Sequence, residues 1–534
     1  MPLILRFAIK INEILFENGE YDNYRGRIAD SSKHGGVRAA SFACAVEVLE
    51  NVVFLSNAIN FVAYFIKSMH YPAAEAANMV TNFMGTSFLL TIVGGFISDS
   101  FFTRFRTFIF SCTVELMGLI LLAVQAQYSE LQPAMNKRPS EYQAAVLYVG
   151  LYAMAAGIGG IKAALPAHGA DQLDRRNQRL ISAFFNWYFF SLCTGGLIAC
   201  TFMVWIQENK GWKMNFNISI GILSLALCIF AAGFPIYRYK RPGGSPIARM
   251  CKVFIAAIRS RNSLTPETET RMQISSARTI RRKFRFLNKA LMDEKITATE
   301  VQETKTFLGL LPIFASTIMM NCCLAQLQTF TVEQGIMMGR TVKNFTIPTQ
   351  SLTVFPLIIM LASIPVYERC ARFVGTKQSW ISNWLRPLKR IGVGLALASA
   401  SMAAAAVVEA KRREEEVSKG AAISVFWLAW QYLLLGVADV VTLGGMLEFF
   451  YSEAPDSMRS ISTALSWCST AMGYFISSVL VTIANSISEK FGKKWLPGHD
   501  LNHGRLDLFY TLLCALNFLS LLNYIFWAKR YQVE

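Results

Sequence analysis

Twelve stretches of this chain are apolar for about the length a helix needs to cross a bilayer. That recurrence constrains the fold more than any other feature. The runs are 39–66, 76–98, 105–126, 142–165, 182–206, 215–237, 306–330, 348–367, 388–409, 422–450, 461–487 and 507–528. A spanning helix needs about 20 mostly apolar residues. A membrane β-strand is roughly half as long and alternates apolar with polar, and none of these runs does. Only a helix or a closed barrel satisfies its own backbone hydrogen bonds inside lipid, so the pattern predicts an all-α membrane protein. Composition agrees: of 534 residues, 53% are hydrophobic and 16% charged, where a soluble domain carries about 25% charged.

The one long gap, 238–305, divides the runs six and six. It holds 16 Lys or Arg against 6 Asp or Glu, a net of +10, including Arg281-Arg282-Lys283-Phe284-Arg285. Two six-helix halves joined by a basic linker resemble the layout of the major facilitator class. The expected organisation is an N-terminal segment 1–38, a first bundle 39–237, the linker 238–305, a second bundle 306–528 and a tail 529–534. With both termini and the linker on one side, that side carries 36 Lys or Arg against 15 on the other, which favours cytoplasmic termini. Without the linker the split is 20 to 15. The net charge of +17 therefore belongs to loops, and a nucleic-acid partner is not expected.

Several readings are negative. Eleven Cys occur singly or as Cys322-Cys323, without C-x-x-C or a Cys/His cluster, so neither a disulfide framework nor a metal site is expected. The start, MPLILRFAIKINEILF, is broken by Arg6 and Lys10 and does not read as a signal peptide. A disordered cytoplasmic tail is the expectation there, with a short surface helix as the alternative. No phosphate-binding P-loop, H-E-x-x-H or G-x-S-x-G is present. With five His in all, an enzyme, a cofactor and ATP drive are not expected, and transport down an ion gradient remains. Asn344-Phe-Thr346 is a glycosylation sequon in a loop.

Ionisable residues inside spans are costly and mark function by default. In the first run, Glu47, Glu50, Asn51 and Phe54 are spaced i, i+3, i+4, i+7 and share a helix face. Two carboxylates a turn apart in low dielectric cannot both ionise cheaply. Lys162, among Gly157, Gly159 and Gly160 of the fourth run, is the candidate cation, and the glycines allow close helix approach. The trio fits a proton-coupling device or a static ion pair joining two helices. Glu115 reads as a structural hydrogen bond or a partner to a basic loop. Asp439 fits a coupling, substrate or structural role, and Glu448 is expected to pair with a loop base such as Arg459. Asp99, with Arg104 and Arg106, suits a charge clasp that gates one conformation.

Together these motifs resemble the proton-coupled oligopeptide transporters and, within them, the plant nitrate/peptide transporter family. The resemblance covers nearly the whole chain. It rests on Glu47-x-x-Glu50, Thr81-Asn82-Phe83-Met84-Gly85-Thr86, Gly157-x-Gly159-Gly160-x-Lys162 and Gly169-Ala-Asp171-Gln172. It also rests on Phe184-Phe185-Asn186-Trp187, Leu311-Pro312-Ile313-Phe314, Ile347-Pro348, Arg390-Ile391-Gly392 and Glu448-Phe-Phe-Tyr451. It implies the major facilitator fold and proton symport through Glu47, Glu50 and Lys162.

The departures imply a substrate. Asn51 stands where the family usually has a cation, Asp439 where it has Glu, and Leu324 where a nitrate-transporting relative has His. These resemble the fourth plant subfamily, whose members move abscisic acid and gibberellins, weak acids with an apolar body. On that resemblance the substrate-binding candidates are Asn51, Leu55, Met84, Lys162, Leu324, Gln328, Asp439 and Trp467. The implied protein is a plasma-membrane, proton-coupled importer of abscisic acid. Gibberellin, then nitrate, then di- or tripeptides are the alternatives, an internal membrane is the alternative location, and a ligand-binding receptor is the rival class. Ser275, Ser276 and Thr279, beside basic residues of the linker, are candidate kinase sites. The oligomeric state is left open.

Overall fold

The computed structural model describes residues 21–30, 33–71, 73–134, 137–174, 176–242, 244–259, 284–293, 296–327, 330–342, 345–346, 354–374, 386–490, 495–496 and 504–533. Among them the long helices are α1 (Gly36–Lys67), α2 (Ala73–Ser100), α3 (Arg104–Gln127), α4 (Glu141–Asp171), α5 (Gln178–Lys210) and α6 (Trp212–Ala232) in the first half. The second half has α7 (Ala298–Leu327), α8 (Val354–Val374), α9 (Pro387–Lys419), α10 (Ala429–Glu453), α11 (Arg459–Lys490) and α12 (Leu506–Val533). Eleven are long and apolar enough to cross a membrane; in α8 the apolar part is Val354–Val366. Residues 348–353 of that expected span lie outside the described residues. So do the expected sequon Asn344, the kinase candidates Ser275, Ser276 and Thr279, and the segment 1–20.

Some helices overrun the apolar runs that mark them, α4 to Asp171 and α9 to Lys419, while α6 stops at Ala232 and α10 starts at Ala429, inside theirs. At 1.5 Å per residue, the 33-residue α9 is about 50 Å long, against a hydrocarbon core of about 30 Å. Its charged end therefore projects beyond the apolar layer. Local chemistry sets the ends. Ser140 and Gln143 form a capping box at the start of α4. Thr103 accepts the Arg106 N–H at the start of α3. Pro387 opens α9, and Gly420, at φ 62°, closes it.

Packing depends on small residues. Gly94 of α2 faces Gly160 of α4, and Gly118 of α3 faces Gly150 and Met154 of α4. A Cβ at Gly95 would sit 2.9 Å from the backbone of Ser460 and Ile461, so α2 and α11 touch main chain to main chain. The halves meet chiefly along α2 with α11 and α5 with α8. One apolar core fills the first half and reaches Met360, Leu443 and Trp467 of the second; another fills α7–α12. A π-helical turn, Ala199–Met203, interrupts α5. Between the halves, a linker helix, Pro246–Arg259, packs against the short helix Arg285–Met292 and the first turns of α7. Tyr21–Asp22 pairs with Tyr239–Lys240 as a small antiparallel sheet.

Candidate functional site

Helical spacing delivers the α1 face as expected. Glu47 and Glu50 are fully buried, and both reach Lys162, itself fully buried on α4. Lys162 Nζ lies 2.9 Å from Glu47 Oε1 and 2.5 Å from Glu50 Oε2. It also donates to Asn51 Oδ1 at 3.4 Å. Tyr188 of α5 donates its hydroxyl to the other Glu47 oxygen at 2.5 Å. Glu50 Oε1 has no hydrogen-bond partner among the described residues. Asn51 turns its amide away from the cluster and donates to the Leu192 carbonyl at 2.7 Å. The close approach of α5 is set by Gly195, where a Cβ would meet the Val48 carbonyl and come within 3.1 Å of Asn51 Cβ. One ammonium thus serves two carboxylates, and all three side chains are fully buried.

The Lys162 ammonium also stands 5.4 Å from the ring centroids of Phe54 and Trp467. Trp467 stacks on Phe88 with centroids 5.5 Å apart. These rings form one wall of a cavity of about 370 Å³ between the halves, within the roughly 300–1,000 Å³ range of small-ligand sites. Asn51, Leu55, Met84, Lys162, Leu324, Asp439 and Trp467 all line it, joined by Leu357, Met360 and Leu443. Cys200, in the π-turn of α5, also faces it. Gln328 lies outside the described residues. The cavity is mostly apolar, with Lys162 the sole cation and Asp439 the sole acid among its described lining residues.

Two polar knots join the halves where the linker emerges. In the first, Arg104 pairs with Asp99 at 3.4 Å and with Asp171, and donates to Ser460 Oγ of α11 at 2.8 Å. Asp99 accepts the Ile461 N–H at 3.0 Å, and Tyr451 donates to Asp171 at 2.7 Å. Arg106 is exposed and takes no part among the described residues. In the second knot, Arg390 of α9 binds Glu448 of α10 and donates to the side-chain Oδ1 of Asn186 of α5, each at 2.8 Å. Asn186 donates to Glu368 of α8 at 2.5 Å, and Ser182 donates to Glu448 at 2.9 Å.

Two expectations are corrected. Glu448 pairs with Arg390, not Arg459, because it points across the buried α9–α10 contact; Arg459 instead binds Asp456 at 2.8 Å. Glu115 has neither the hydrogen bond nor the basic-loop partner expected. It is fully buried against Gly157, and both its oxygens lack a hydrogen-bond partner among the described residues. Tyr188 gave no sequence signal, since a tyrosine in an apolar run reads as core. Asn186 and Arg390 did, within Phe184-Phe185-Asn186-Trp187 and Arg390-Ile391-Gly392.

Residues 105–496 match the family described as PTR2, the POT family. The chain belongs to the POT family. Two of its most similar relatives, both from Arabidopsis thaliana, are Protein NRT1/PTR FAMILY 4.2 and Protein NRT1/PTR FAMILY 4.1. The first is 56% and the second 54% identical to it, each over 96% of this chain and 99% of the relative. Among solved structures, the POT family transporter PepTSo aligns with a TM-score of 0.66 at 18% identity, covering 93% of this chain and 99% of that one. A POT family transporter in complex with 5-aminolevulinic acid aligns at 0.62 and 13% identity, covering 94% and 99%. At these identities the structures establish the fold alone, and it is the POT fold of two six-helix halves. The chain is thus a POT family transporter, a multi-pass membrane protein.

Proposed function

We propose that this transporter imports a weak-acid plant hormone, abscisic acid first, across the plasma membrane together with a proton. One observation carries the proposal: the single cation among the described residues of a mostly apolar cavity is already shared by two buried carboxylates. A substrate carboxylate can claim Lys162 only as a glutamate takes up a proton and releases it. Glu50, which has one oxygen without a hydrogen-bond partner among the described residues, is the proposed first proton site, and Glu47 the second. Leu55, Met84, Leu324 and Trp467 would cover the apolar body of the hormone, with Asn51 beside its carboxylate. Asp99 and Arg104 act as the gate at the linker end, which we assign to the cytoplasm with both termini. The bundles are taken as 39–237 and 306–528, with 238–305 the linker between them.

Asp439 supports a second reading. An acid on the cavity wall suits a ligand bearing an amine as well as a carboxylate, as in the neighbour bound to 5-aminolevulinic acid. Gibberellin shares the chemistry of the first reading.

The test is uptake of labelled abscisic acid into oocytes at acidic and neutral external pH, with gibberellin, nitrate and a dipeptide as competitors. Water-injected cells control for passive entry of the neutral acid. Uptake above control that falls when the proton gradient is collapsed is expected. Competition by the dipeptide alone would favour the second reading. Binding without accumulation would overturn transport of this ligand in favour of a receptor.

A further inference from the structure

The linker helix Pro246–Arg259 has two faces. Val253, Ala256 and Ala257 pack inward on Leu287, Ala290 and Val301. The opposite face is exposed and apolar: Ile247, Cys251, Ile255 and Ile258, at i, i+4, i+8 and i+11, form one stripe. Ile255 and Ile258 are 57% and 68% exposed. Lys252 and Arg259 flank this stripe, and neither forms an ion pair among the described residues. Phe286 continues the apolar surface, in ring contact with Phe254 of the helix. The helix touches α2 and the first turns of α7, where Arg249 reaches Glu303 at 3.8 Å, and both are candidate membrane spans.

An exposed apolar stripe of this length beside lysine and arginine is the pattern of a helix lying in a lipid interface. We propose that this face docks on the anionic headgroup layer of the bilayer that the chain itself spans. Charge selects this occupant. The linker segment 260–283 carries 6 Lys or Arg against 2 Glu, so its own charge opposes Lys252 and Arg259. A second copy would present the same basic flank. Anionic lipid alone among the three complements both the stripe and its edge. The helix would thereby be held in the headgroup plane beside α2 and the first turns of α7.

Cys251 provides the probe. In the full-length protein with Cys228, also exposed, changed to Ser, a polarity-sensitive fluorophore is placed on Cys251. A Cys251→Ser chain measures background labelling. The protein is reconstituted into nanodiscs of phosphatidylcholine alone or with phosphatidylserine. With phosphatidylserine, the label is expected to resist aqueous iodide and to be quenched by brominated lipid. Each basic residue at an anionic surface shifts docking about fivefold, so Lys252→Gln with Arg259→Gln should weaken it roughly 25-fold and reopen the label to iodide. Equal iodide access with and without phosphatidylserine would overturn the proposal. Shielding without bromolipid quenching would also overturn it and point to the chain's own linker. Shielding lost as the protein is diluted to one copy per disc would point to a second copy.

Discussion

The sharing of Lys162 between Glu47 and Glu50 can be tested by removing charge in two steps. Lys162→Met deletes the ammonium at 2.9 and 2.5 Å from two fully buried carboxylates. Breaking a buried pair by removing one partner costs about 3–5 kcal/mol. At about 1.4 kcal/mol per tenfold, that is roughly two to three and a half orders of magnitude, enough to take uptake to background. Adding Glu47→Gln and Glu50→Gln then makes the site neutral and removes that penalty. If the trio is only a structural tie, the triple variant should recover surface amount and pH-driven uptake together. If it carries the proton, surface amount recovers and uptake driven by a proton gradient does not. Surface biotinylation beside labelled uptake at two external pH values separates the outcomes. Proton-driven uptake by the triple variant would refute the coupling role of all three residues.

Three other outcomes follow from the geometry. Arg390→Ala removes the buried cation that Glu448 and Asn186 share; it should loosen closure at the linker end by a few kcal/mol, read as faster alkylation of a cysteine introduced at Ser182. Leu324→Trp fills part of the roughly 370 Å³ cavity and should lower hormone uptake about tenfold or more at unchanged surface amount, whereas equal loss of surface amount would mean misfolding. Gly195→Ala should push α5 from α1, because its Cβ would meet the Val48 carbonyl. A cost of about 1–3 kcal/mol for overpacking should appear as a lower melting temperature in detergent, and an unchanged melting point would show that the contact relaxes freely.

Much of this was legible because lipid imposes simple rules. An apolar run of 20 residues must be a helix, and a charge within it must have a reason. Glu47, Glu50, Asn51 and Phe54 fell on one face because helical periodicity puts them there, and Lys162 was the natural cation. The C-terminal ends of α4 and α9 were less legible, since both helices continue past the hydrophobic run, to Asp171 and Lys419. Partner choice was least legible of all. Arg390 lies 58 residues from Glu448 and Asn186 lies 182 from Glu368, and nothing local to either residue encodes that meeting. The misassigned partner of Glu448 shows the limit: sequence proximity favoured Arg459, while helix packing supplied Arg390.

Two carboxylates set against one ammonium also determine an electrical property. The trio sums to one negative charge. When one proton and one monovalent organic anion arrive together, the sum is still one negative charge. Under the proposed mechanism, the loaded and empty carriers then look alike to the membrane field, and voltage does no work on the cycle. Accumulation would be set by acidity alone, at about tenfold per pH unit, and a cell could depolarise without losing its hold on the solute.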